Sequence, residues 1–404
     1  MTSHAASAPD RVLGRMLSDL EPVGRHPGTG GYRRYAWSRE DLACREWFAA
    51  EAARRGLDLT VDRNGNQWAW WGDPDAGGAV VTGSHLDSVP DGGAFDGPLG
   101  VVSALAALDL LRDRDVAPAR PLAVVSFTDE EGARFGVACA GSRLLTGTLD
   151  ADRARALTDA DGTSMAEAMR AAGHDPAHLG RDDDTLARIG TFVELHVEQG
   201  RTLVDLDAAV GVASSIWPHG RWRLDLHGEA NHAGTTRLAD RDDPMLRLAA
   251  AVLAARAQAE RLGAVATVGK VQVAPNGTNA IPSLVRAWLD ARGDDEGRVR
   301  ELVAAVGAAA GTDPVEESWT PEVSFEARLR DHLAGLLGDV PVLPTGAGHD
   351  AGILGSAGVP TAMLFVRNPT GVSHSPAEHA ERADCVAGVE ALATVLTDLV
   401  TEQP

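Results

Sequence analysis

Four short, mostly apolar runs set the frame of the chain: GAVVTG (78–83), PLAVVSF (121–127), TFVEL (191–195) and TAMLFV (361–366). Runs this short and this rich in β-branched residues predict strands buried on both faces. Between the first two lies PLGVVSALAALDLLRDR (98–114), whose apolar positions recur at helical spacing. Pro98 stands in its first turn, where a missing N–H is no loss. Another helical pattern, Asp41 to Arg55, follows the glycine-rich basic stretch GRHPGTGGYRRYAWSRED. Strands alternating with helices predict a mostly parallel α/β sheet flanked by helices.

The rhythm changes over 212–327. In RWRLDLHG (221–228), Trp222, Leu224 and Leu226 alternate with Arg221, Arg223 and Asp225, the pattern of a half-solvated strand. A helix over 243–262, strands near 264–273 and 284–290, a helix over 294–309 and a strand near 319–326 complete the order βαββαβ. That order is the ferredoxin-like sandwich. We therefore expect a small α+β domain, 212–327, inserted into a larger one formed by 1–211 and 328–404. The 404-residue length also favours two domains.

Composition narrows the classes. A formal net charge of −21 argues against nucleic acid and anionic lipid as partners. No run approaches the ~18 apolar residues of a membrane span. The N-terminal residues carry no apolar leader core, so a cytoplasmic location is expected. Three cysteines without CxxC spacing give neither a disulfide framework nor a thiolate zinc site. Cys139, in ACAGS, reads as a buried structural thiol.

The chemistry lies where each strand of the larger domain ends. SHLDSVPDGGAFDG brings His85, Asp87 and Asp96 after the first, and TDEEGARFG brings Glu130 and Glu131 after the second. HVEQG brings His196 and Glu198 after the third, and RNPTGVSHSPAE brings His374 after the fourth. Taken singly, such a histidine is ordinarily a core or surface residue, and adjacent glutamates are ordinarily a solvated pair. In a parallel sheet, however, the carboxyl ends of the strands share one rim. Imidazoles and carboxylates without thiolates suit Zn²⁺, Mn²⁺ or a similar divalent ion.

The ordered series GSHLDSV, GGAFDGPLG, DEEGARFG, ELHVEQG, ANHAGTT, PNGTNAIP and GVSHSPAE resembles the motifs of the hydantoinase/carbamoylase family. That family groups allantoate amidohydrolase, N-carbamoyl-L-amino acid hydrolase and β-ureidopropionase, and is related to zinc aminoacylases and carboxypeptidases. The resemblance implies a zinc-exopeptidase-like catalytic domain and two divalent ions per chain, zinc or manganese, with cobalt or nickel as further options. His85 and His196 would hold one ion, Glu131 and His374 the other, and Asp96 would bridge them. Glu130 would be the general base, and the inserted domain a lid that also forms a homodimer. Asp87, two residues past His85, is placed to accept the second ring N–H of a ligand histidine.

The same resemblance implies an oxyanion donor in His232 and a substrate clamp in Asn279 and Arg292. His349, in GAGHDA, is a substrate contact or a structural hydrogen bond. Two positions depart from the family: Arg237 replaces the proline after HAGTT, and Pro218-His219 replaces a Gly-Gln pair. His219 and Arg237 would favour a substrate with more than one polar or anionic end. The leading reading is hydrolysis of a small anionic ureido acid, allantoate or an N-carbamoyl-L-amino acid. The alternatives are an N-formyl or N-formimino acidic amino acid such as N-formylglutamate, and a metal-binding protein without catalysis. No G-x-S-x-G elbow supports a serine hydrolase.

Overall fold

The four apolar runs form four adjacent parallel strands. In order across the sheet they are Leu122–Phe127, Ala79–His85, Ile189–Val197 and Thr361–Val366. Every residue of the first, second and fourth is buried, as expected for strands covered on both faces. Their carboxyl ends lie on one edge, which brings the segments after residues 85, 127, 197 and 366 together. The structure, a computed structural model, describes residues 7–401.

Antiparallel strands extend this sheet at both sides: Gln67–Trp71 and Asp58–Val61 beyond Leu122–Phe127, and Val210–Ile216 beyond Thr361–Val366. The helix Pro98–Asp113 is apolar almost all round and correspondingly buried. It packs against the His85 strand and the helices Ala8–Leu20 and Arg382–Thr401. The chain divides into two compact units. The first holds the residues up to Ser214, Phe325–Leu343 and those from Gly348 on; the second holds Ser215–Ser324 and Pro344–Ala347.

The second unit has a four-stranded antiparallel sheet in the order Val315–Thr320, His219–His227, Leu284–Arg292, Val265–Ala274. The helices Pro244–Leu262 and Glu296–Ala310 share its apolar core with Trp222, Leu224 and Leu226. Asp243 caps the first of these helices at Met245 N–H, and Gly263 ends it in the left-handed conformation. The last strand differs from the pattern reading: it is Val315–Thr320, not 319–326. Pro321 supplies no N–H for further pairing. The apolar Val323 beyond it belongs to a separate two-residue strand, Val323–Ser324, paired with Ile216 and Ser215.

Candidate metal centre

His85 and His196 are held so that one nitrogen of each ring faces the rim. His85 Nδ1 lies 3.2 Å from the Asp87 carbonyl, and His196 Nδ1 lies 2.9 Å from the Val197 carbonyl. A carbonyl can only accept, so the proton is assigned to Nδ1 and the Nε2 lone pair points into the site. Gly97 permits the approach of the Asp96 loop: a Cβ there would lie 2.4 Å from the His85 ring.

Asp96 divides its two oxygens between two groups of donors. Oδ1 lies 3.2 Å from His196 Nε2 and 3.7 Å from His85 Nε2. Oδ2 lies 3.5 Å from His374 Nε2, which is itself 3.7 Å from Glu131 Oε2. His85, Asp96 and His196 form one cluster whose ligand atoms fall within 4.8 Å of one another, and Asp96, Glu131 and His374 form a second. Sharing one carboxylate between two such clusters is the donor arrangement of a bridged pair of ions. His196 Nε2 is buried and its polar neighbour is Asp96 Oδ1 at 3.2 Å, as for a nitrogen and an oxygen that face one cation site. The residues present therefore fit two divalent ions. Two further triads pass the same distance criterion, His85 with Glu130 and Glu131, and Glu194 with His196 and His349. Glu194, however, already accepts from Ser84 Oγ at 2.8 Å and Ala351 N–H at 3.0 Å.

The charges make the same demand. Burial pushes the Glu130 carboxyl up to about 7, and it pushes Glu131 well above the usual range with Asp96 and Glu130 adding repulsion. For His196, burial opposes the charged form, yet contact with Asp96 and the Asp96 and Glu194 charges outweigh it and raise the imidazole to about 9. Crowded buried carboxylates thus draw protons onto the histidines where cations would otherwise serve.

Glu130 lies beside the clusters, with Oε2 3.8 Å from His85 Nε2. Its placement comes from residues whose part the sequence did not reveal. The Asp87 carboxylate accepts the backbone N–H of Glu130 at 3.1 Å and of Glu131 at 3.0 Å, and lies 3.5 Å from His85 Nδ1. The ring thus meets both the backbone carbonyl and the carboxylate of Asp87, and that carboxylate also fixes the two glutamates. Cys139 is buried as expected, but its Sγ also reaches Glu130 Oε1 at 3.3 Å. Glu198 caps the next helix through Thr202 and Leu203 N–H groups at 2.6 and 3.1 Å. Gln199 Nε2 donates to Asp96 Oδ2 at 2.8 Å. His349 is buried, its ring 4.6 Å from that of His196.

The second unit brings the remaining sequence-derived residues into two pairs. His219 and Arg292 are register partners on neighbouring strands. Arg292 is engaged bidentately by Asp290 at 2.7 and 3.0 Å and donates to the Gly346 carbonyl at 2.8 Å. Asn279 accepts through its backbone oxygen from Ala233 N–H at 2.9 Å, one residue from His232. Arg237 stands apart, largely exposed and ion-paired with Asp240 at 2.6 Å.

Residues 81–398 match the family described as peptidase family M20/M25/M40. The chain is 37% identical over 397 residues to an N-carbamoyl-L-amino acid amidohydrolase of Geobacillus stearothermophilus, covering 94% of this chain and 96% of that one. It is 33% identical to an allantoate amidohydrolase of Escherichia coli strain K12, covering 97% and 98%. A crystal structure of a hydantoinase/carbamoylase family amidase from Burkholderia vietnamiensis superposes with a TM-score of 0.87 at 30% identity, covering 97% of this chain and 98% of that one. The chain belongs to peptidase family M20/M25/M40, in its hydantoinase/carbamoylase amidase subgroup, and is a hydrolase of carbon–nitrogen bonds other than peptide bonds.

Proposed function

We propose that the chain hydrolyses the C–N bond of a ureido acid, an N-carbamoyl-L-amino acid or allantoate. The observation that carries the reading is the division of the Asp96 oxygens between the His85/His196 and His374/Glu131 groups. The named activities of the two relatives support the substrate class. When bound, divalent ions lower the pKa of a water molecule and polarise a carbonyl oxygen. His85 and His196 would hold one ion, Glu131 and His374 the other, with Asp96 shared.

The chain's own part is proton handling. Glu130 takes the proton of the attacking water on its carboxylate and returns it to the departing nitrogen as the C–N bond breaks. Asp87 holds that carboxylate in place through the Glu130 N–H. In the second unit we assign substrate binding to Arg292, Asn279 and His219, and oxyanion donation to His232. Arg292 is a planar cation suited to a carboxylate, and a substrate carboxylate would have to compete with Asp290 and the Gly346 carbonyl for its fork. Arg237 contributes least to the reading, because Asp240 already neutralises it in the open.

We also propose that the second unit pairs with its copy in another chain. Its edge strand Val265–Ala274 is mostly exposed, and Leu246 and Leu253 on the neighbouring helix are each 72% exposed. An unpaired edge beside exposed leucines is a surface that self-association would cover.

The test of function is a substrate panel. Metal-stripped protein is reconstituted with Zn²⁺, Mn²⁺, Co²⁺ or Ni²⁺ and offered allantoate, ureidoglycolate, N-carbamoyl-L-amino acids and N-formylglutamate. Ammonia release from a ureido acid is expected. Activity confined to the N-formyl compound would overturn the substrate class.

A further inference from the structure

The loop that carries Asp96 and the loop that carries His374 come from distant parts of the sequence, and Glu378 joins them beside Gln199, which reaches Asp96 Oδ2 at 2.8 Å and Ser373 Oγ at 3.2 Å. Glu378 is buried, and its Oε2 accepts the backbone N–H of Phe95 at 2.8 Å and of Asp96 at 3.0 Å. Its other oxygen, Oε1, accepts from Ser373 Oγ at 3.1 Å. The same hydroxyl lies 3.0 Å from Asp96 Oδ2, and Ser373 directly precedes His374. The seat is shaped for this carboxylate: a Cβ on Gly93 would lie 2.1 Å from Glu378 Oε2.

The two ion positions do not depend equally on this link. His85 and His196 stand at the ends of buried parallel strands, and their rings are 1% exposed. His374 lies outside any strand or helix, with φ of 54° and a half-exposed side chain. For a non-glycine residue that backbone region is sparsely populated and persists only where the surroundings impose it. Ser373, Glu378 and Gln199 are contacts through which the surroundings of Asp96 can impose it.

We propose that Glu378 is a positioning residue that ties the Asp96 loop to the His374 loop. Its loss therefore weakens the ion held by Asp96, Glu131 and His374 more than the one that His85 and His196 hold with the shared Asp96, because the two histidines stand on buried strands. The inference rests on the two-ion reading above. Residues behind metal ligands typically change affinity by about 10- to 100-fold when removed.

The test uses the full-length chain, stripped of metal and dialysed to equilibrium against Mn²⁺ alone, with ions per chain counted across a range of free Mn²⁺. The wild-type chain should bind two. Glu378→Ala should lose about 10- to 100-fold in affinity at one of the two ions and distinctly less at the other. Glu378→Gln should restore it: its carbonyl oxygen can accept both N–H groups, and its amide can donate to Ser373 Oγ. A merely structural role predicts neither the selectivity for one ion nor this rescue. Wild-type affinity for both ions in Glu378→Ala would overturn the proposal. So would a Glu378→Gln variant as weak as the alanine. Fewer than two ions on the wild-type chain would instead contradict the two-ion reading, and the tether with it. Should Glu378→Ala fail to fold, Gly93→Ala carries the same test, because its Cβ displaces the carboxylate without removing it. Weakening of one ion more than the other supports the tether there, and unchanged affinity refutes it.

Discussion

Asp87→Asn separates the base from its support. The aspartate accepts two backbone N–H groups, those of Glu130 and Glu131, at 3.1 and 3.0 Å. Asparagine offers one acceptor oxygen, so one N–H would face an amide that can only donate. A hydrogen bond to a charged acceptor contributes about 1.5–3 kcal/mol, and this one is buried. Losing about 2–3 kcal/mol of Glu130 placement corresponds to a fall of about 30- to 160-fold in kcat, at about 1.36 kcal/mol per tenfold. The ions should stay, because His85 Nδ1 keeps its 3.2 Å contact with the backbone oxygen of residue 87. The assay is steady-state ammonia release, with metal content measured on the same preparation. A loss below about threefold would refute the support role. A loss matched by loss of ions would show that the carboxylate acts through His85 instead.

Metal binding should release protons: His196, raised to about 9, is protonated in the ion-free chain near neutral pH and must give up that proton to bind. Titration calorimetry in buffers of different ionisation heat should show net proton release, with His85 and Glu131, also raised, adding to the His196 proton, and affinity rising with pH; a buffer-independent heat would contradict this. In the first unit, Glu51 is fully buried and receives Arg15 and Arg55, which outweigh its burial and lower it to about 2. A lowered carboxyl stabilises fully above its unfolded pKa of about 4.3 and loses that contribution as pH falls through the folded value. Glu51→Gln should therefore cost about 3 kcal/mol in urea unfolding at neutral pH, with the gap to wild type closing in strong acid. An unchanged unfolding midpoint would contradict it. Arg292→Lys should raise KM about 10- to 100-fold with kcat little changed, since the ammonium cannot reproduce the fork; a fall in kcat alone would contradict a carboxylate-binding role.

The parallel strands were legible because short buried apolar runs have few other stable uses, and the clustering of His85, Asp96, Glu131, His196 and His374 was legible because each follows such a run. The alternation of Trp222, Leu224 and Leu226 likewise gave the second unit its first strand. Other elements left weaker marks. Gln67–Trp71 pairs antiparallel beside Leu122–Phe127, but QWAWW alternates too little to announce a strand. The helix Ala8–Leu20, by contrast, carries a readable signal, Leu13, Met16 and Leu20 at helical spacing behind the Ser7 cap, and is missed only because the glycine-rich stretch after it dominates that region. Around the site, polar residues with several possible partners were the hardest to place. The spacing of Asp87 from His85 points to the ring, 3.5 Å from its carboxylate, but shows nothing of the backbone N–H groups 43 and 44 residues away that the same carboxylate accepts. Glu378 and Gln199 stood in plain view in SHSPAE and HVEQG, but only the folded chain shows that both converge on Asp96.

The central claim is that Glu130 moves the proton while the neighbouring side chains hold the ions. Glu130→Gln tests it most directly, since the amide keeps the size of the side chain and an acceptor for Cys139 Sγ but cannot take a proton from water. Metal analysis and turnover are measured together on the same reconstituted protein. The account predicts two divalent ions per chain and a kcat lower by about 10²- to 10⁴-fold. Near-normal turnover with both ions in place would contradict it.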